Sequence, residues 1–98
     1  MKYGEAIRKR RMAKGVSLRK FSVACGITPT TLSALENDKY QPSRETIEKI
    51  ARELEIAPVM LILDAVTIED IPEEKRKDYR SLEKKLKAFV EDGNRKQK

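Results

Sequence analysis

Apolar residues in this chain recur at intervals of three and four, and no stretch alternates apolar and polar as a half-buried strand does. Helix punctuation falls at short intervals, so the pattern predicts several short helices. The first spans residues 4–14, with Ala6, Ile7 and Met12 as its apolar positions and Gly15 as its stop. Ser17 caps a second helix over 18–25, whose inward stripe is Phe21, Ala24 and Cys25, and Gly26 closes it as a left-handed residue. Thr28 caps a third over 29–36, with Pro29 in the first position, where a missing N–H costs nothing, and Leu32 and Leu35 inward. "NDKYQP" reads as a loop. Ser43 caps a fourth helix over 44–54, with Ile47, Ile50, Ala51 and Leu54 on one face. Pro58 opens a fifth over 59–65.

"VTIEDIP" is a connector ended by Pro72. A last helix is expected over 73–91, with Tyr79, Leu82, Leu86, Phe89 and Val90 on one side, Gly93 as its stop and "NRKQK" as a frayed tail. The expected fold class is therefore all-α. Residues 1–66 form the domain, and residues 67–98 form the connector and an additional amphipathic helix.

Charge refines this. The chain carries a net +6, unevenly spread. Residues 1–45 hold ten basic and four acidic side chains, residues 46–72 two and six, and residues 73–98 ten and six. A basic front half beside an acidic middle suits a polyanion on one face. The single cysteine, Cys25, cannot form an internal disulfide, so a reducing cytoplasm is expected. The N-terminus has no apolar stretch of signal-peptide type. The longest apolar run, residues 59–63, is far too short to span a membrane, so no membrane association is expected.

Enzyme chemistry finds no footing. The chain has no histidine to act as a general base or metal ligand. Cys25 falls on an inward helix stripe, the place of a core residue. Glu73 and Glu74 sit at a helix start, where the dipole favours acid. There is no phosphate-binding glycine loop. No cofactor, metal or catalytic residue is expected.

Residues 18–37 read as two short helices joined by Cys25, Gly26 and Ile27. So short a turn makes the helices cross steeply and leaves the second jutting from the surface, the shape that enters a major groove. Over residues 3–65 the chain resembles the phage-repressor and Cro-like (XRE) helix-turn-helix family. The resemblance rests on "IRKRRMAKGVS", "GITPTTLSALEN" and "PSRETIEKIARELEI", with Phe21, Gly26, Ile27, Leu32 and Leu35 at the family's structural positions. "SLRKF" and "TPTTLSALE" look closest to a branch that shares S-L-R-K-F-A and S-P-T-Y-L-S-K-I-E. The resemblance implies a five-helix lambda-repressor-like domain and an ion pair between Arg11 and Glu36. Four positions depart from the family: Leu18 stands where a phosphate-touching Gln is usual, Ser22 where Ala is usual, and Val59 and Met60 where relatives are often acidic.

The positions carried over as base-facing are Pro29, Thr30, Ser33 and Ala34. None is a strong bidentate reader of guanine or adenine. Hydroxyls and methyls remain, so modest readout biased towards thymine is expected. DNA shape and phosphate contacts would supply the rest. The candidate phosphate residues are Arg19, Lys20, Thr31, Lys39, Tyr40, Gln41 and Arg44.

Beyond residue 65 the resemblance fades. Val59, Met60, Leu63 and Val66 cannot all face inward, and Tyr79, Leu82, Leu86 and Phe89 offer a matching apolar face. Two pairings are open: the tail folds back on helix five within one chain, or the patch meets a second copy. One helix-turn-helix reads few base pairs and a symmetric dimer doubles them, so the expectation is a homodimeric repressor on double-stranded DNA. The alternative is an antitoxin-type protein whose main partner is a toxin-like protein.

Overall fold

The structure, a computed structural model, describes residues 1–96. It contains six α-helices: α1 (Tyr3–Ala13), α2 (Leu18–Cys25), α3 (Pro29–Glu36), α4 (Arg44–Leu54), α5 (Pro58–Ala65) and α6 (Arg76–Lys96). No strand occurs among the described residues.

The predicted caps form as hydrogen bonds. Ser17, Thr28 and Ser43 each accept the N–H three residues on, from Lys20, Thr31 and Thr46. Gly15 and Gly26 adopt left-handed backbones, at φ 69° and 73°. A buried, mostly aliphatic core joins α1 to α5 through Ile7, Phe21, Leu32, Leu35, Ile50, Leu54 and Leu61, with Tyr3, Leu18, Ile27 and Ile56 packed around it.

The structure corrects several expectations. Met12 is 59% exposed. The inward position one turn after Ile7 belongs instead to Arg11, because side chains four apart share a helix face. In α2, Ala24 is exposed and Ser22 is buried, its hydroxyl donating to the Arg19 carbonyl at 2.8 Å. The inward stripe thus turns towards Ser22, and its polar atom is satisfied locally. Beside Arg11, Arg10 is half-buried and pairs with Asp64 of α5.

The connector is more ordered than its composition implied. It contains two 3₁₀ turns, Ile68–Asp70 and Glu73–Lys75. Asp70 receives the Thr67 N–H at 2.7 Å, and Thr67 with Asp70 forms a reciprocal capping box. The last helix therefore begins at Arg76, not at residue 73. It runs through Gly93 to Lys96. A glycine within a helix costs about 1 kcal/mol but does not by itself end it. Gln97 and Lys98, part of the expected frayed tail, lie outside the described residues.

Candidate nucleic-acid interface

The α3 helix is anchored at both ends and along one side. At its start, the Thr28 hydroxyl accepts from the Thr31 N–H at 3.0 Å and donates to the Thr31 hydroxyl at 2.9 Å. Pro29 occupies the first turn without an orphaned N–H. Leu32 and Leu35 fix the inner side in the core.

The far end is held by charge. Arg11 grips Glu36 through two bonds, Nε to Oε2 at 2.8 Å and Nη2 to Oε1 at 3.0 Å, and its Nη1 donates to the Val16 carbonyl at 2.8 Å. One guanidinium thus joins α1, the α1–α2 loop and α3. Glu36 is 9% exposed. Its hydrogen bond holds the Arg11 proton more tightly than usual and outweighs the opposing effect of burial. A bidentate pair fixes orientation as well as distance.

With these anchors, α3 presents Thr30 exposed, and Pro29, Thr31, Ser33 and Ala34 half-buried at the surface. Ser33 is not a lone hydroxyl: Asn37, one turn later, donates to its carbonyl at 2.8 Å and reaches its hydroxyl at 3.4 Å. The sequence reading missed Asn37. Its signal was the spacing of four within one helical turn.

The other phosphate candidates lie on α2, in the loop after α3 and at the start of α4. Arg19 and Lys20 are exposed at the start of α2, directly after the Ser17 cap. Lys39, Tyr40 and Gln41 are exposed in the loop after α3. The Tyr40 hydroxyl extends to the Thr31 carbonyl at 3.4 Å, which brings the loop and α3 together. Arg44 opens α4 with its side chain almost wholly in solvent and Glu48 only 4.0 Å away. Leu18, where a phosphate-touching glutamine would stand, packs against the core instead.

A family model described as Helix-turn-helix matches residues 7–61, more than half of the chain. The chain belongs to the helix-turn-helix family. The match is to its XRE type. The chain is similar to a Bacillus subtilis protein named an uncharacterized HTH-type transcriptional regulator, RghRB. The two are 33% identical over 75 residues, which is 76% of this chain and 54% of that protein, so the chain spans about half its length. It is also similar to crystal structures of the clp gene regulator ClgR from Corynebacterium glutamicum. One aligns over 64% of this chain and 82% of that one, at 30% identity and a TM-score of 0.61. A second aligns over 89% and 85%, at 23% identity and a TM-score of 0.62, and bears on the fold alone.

Beyond the helix-turn-helix, α6 folds back on α5 within the same chain, so one of the two open pairings is realised. Lys87 meets Asp64 at 3.4 Å and Glu83 at 3.5 Å, while Val90 lies beside Met60. Met60 is 2% exposed and so is withdrawn from any outer patch. Val59 stays exposed, and Leu63 and Val66 are half-buried. The apolar face expected of α6 is divided. Tyr79 turns inward with Glu83, Lys87 and Val90, whereas Leu82, Leu86 and Phe89 remain exposed.

Proposed function

We infer that this chain binds double-stranded DNA sequence-specifically as a homodimer and regulates transcription, as a repressor occupying its operator in the cytoplasm. The observation that carries the reading is the bidentate Arg11–Glu36 clamp. It holds α3 against the domain with Thr30 exposed and Pro29, Thr31, Ser33 and Ala34 half-buried at the surface. A helix end of this shape fits a major groove, and its dipole favours a phosphate there. Similarity to two proteins named as regulators supports the same reading.

Recognition divides between the parts. Thr30 and Ser33 offer single hydrogen bonds to base edges, and the methyl groups of Thr30 and Ala34 with the Pro29 ring pack on thymine methyls. Arg19, Lys20, Thr31, Lys39, Tyr40, Gln41 and Arg44 position the helix on the phosphates and carry no sequence information themselves. The weak direct readout makes DNA shape and a second half-site necessary for specificity.

The test is selection of binding sites from a random duplex pool at about 0.15 M salt, then affinity for the winner over a salt series. A two-fold-symmetric site with half-sites roughly one helical turn apart is the expected result. Enrichment of no site, with only steeply salt-dependent binding, overturns sequence-specific regulation.

A further inference from the structure

The α6 helix carries two lengthwise stripes, and packing within the chain uses only one. Tyr79, Glu83, Lys87 and Val90 are half-buried against the domain. Leu82, Leu86 and Phe89 are 50%, 36% and 77% exposed. The unused stripe is not left over from poor docking, because the apolar residue beneath the helix, Met60, is already covered.

Its spacing is informative. Residues 79, 82, 86 and 89 follow intervals of three, four and three, the a/d seam of a coiled coil, with Tyr79 at the margin shared with the inner stripe. Lys87 marks the flank of α6 that faces α1, through its contact with Asp64 and the Asp64–Arg10 pair. By helical spacing the exposed stripe lies on the other flank, the side of α5 that carries Val59 and Leu63.

The charges beside the seam identify the occupant. Asp78 and Lys85 are exposed and stand one heptad apart on the outer edge. Aligned in parallel, Asp78 of one copy would be turned towards the Glu83 edge of the other, which that copy's own domain already half-covers. Aligned antiparallel, Leu82 of each copy meets Leu86 of the other, and Phe89 meets the Tyr79 end. Asp78 of each copy then faces Lys85 of the other. The stripe is complementary to itself, as an isologous two-fold contact requires.

We propose that two copies of this chain join through this stripe, α6 against α6 in antiparallel alignment, with Val59 and Leu63 bordering the contact. The proposal rests on the homodimer reading above and names its interface. A seam of three large apolar residues is small for a stable dimer, which commonly buries about 800 Å² per partner. The bordering α5 residues therefore have a physical role in extending it.

Sedimentation equilibrium of the full chain over a range of concentrations tests this, alongside Leu86→Glu, Asp78→Lys, Lys85→Glu and the double reversal Asp78→Lys/Lys85→Glu. The wild type is expected to dimerise. Leu86→Glu is expected to be monomeric with unchanged helical circular dichroism, since Leu86 is 36% exposed and a carboxylate there can reach solvent. Each single reversal should raise the dimer Kd roughly tenfold at low salt, and the double reversal should restore it. A merely destabilised fold would not be rescued by a second reversal. A dimer indifferent to all four variants, or a double reversal without rescue, overturns this interface while leaving the homodimer reading standing. A wild type that is monomeric throughout overturns both.

Discussion

The carboxylate of Asp38 accepts the backbone N–H of Gly4 at 3.1 Å, across 34 residues of sequence. Lys2, at the start of α1, provides no side-chain cap, so Asp38 supplies one from the loop after α3. Asp38 itself sits in a left-handed backbone at φ 56°, a conformation that favours glycine. Gly4 is the reciprocal condition. A Cβ there would lie 2.5 Å from the Leu35 carbonyl oxygen, 2.6 Å from that of Glu36 and 2.7 Å from Asp38 Oδ1. The start of α1 thus rests directly on the end of α3.

Gly4→Ala should therefore destabilise the domain by about 2–3 kcal/mol, since backbone atoms must shift to admit the methyl. Asp38→Gly relieves about 1 kcal/mol of left-handed strain and loses a cap of similar size, so its stability should stay near wild type. Asp38→Ala loses the cap and keeps the strain, and should fall below both. Urea unfolding midpoints give the order directly, and Asp38→Ala as stable as wild type would refute the cap.

Loss of either partner in the Arg11–Glu36 pair leaves a largely buried charge. Glu36→Ala or Arg11→Ala should cost about 3–5 kcal/mol, and Arg11→Met/Glu36→Leu much less than the sum of the single losses. A double-mutant cycle by chemical denaturation measures the coupling. If either single variant unfolds like wild type, the clamp does not hold α3.

Reading and positioning should separate on DNA. Thr30→Ala should change the preferred base at one position in each half-site with little effect on salt dependence. Lys39→Ala or Arg44→Ala should weaken all sequences alike and lower the salt slope by about one per half-site. Unaltered preference in Thr30→Ala would remove direct readout through that hydroxyl and methyl.

Burial, aided by the nearby Glu53 charge, pushes the Cys25 thiol up to about 11 from an ordinary value of 9.0. The folded state keeps its proton where the unfolded state would lose it. The stability this confers is present below pH 9 and is lost as pH rises towards 11. The native thiol should accordingly resist alkylation at pH 8 and react freely in denaturant, as a mass-shift time course would show. Rapid native labelling at pH 8 would place Cys25 outside the core.

The backbone plan was legible because its signals are local. Ser17, Thr28 and Ser43 cap within three residues, Gly15 and Gly26 release their helices, and the aliphatic stripe of α4 declares its inner face at once. The third helix, read as running from Pro29 to about Glu36, was bounded for that reason, and the poverty of its outward side chains was visible in the same eight letters. Long-range pairings were not legible. Nothing near Asp38 in the chain says that its carboxylate caps α1, and nothing near Arg10 says that it will find Asp64 instead of water. The Arg11–Glu36 pair was expected only through a family resemblance.

The tail shows the division most clearly. Sequence periodicity established that α6 is amphipathic, since apolar spacing is a property of one helix alone. Which part of its apolar arc turns inward depends on what α5 and α1 present. Met60 needed a cover, and Asp64 offered two cations a shared partner. These together rotated Tyr79, Glu83, Lys87 and Val90 onto the domain and left Leu82, Leu86 and Phe89 in solvent. A helix determines its own stripes, but only its neighbours decide which one is buried.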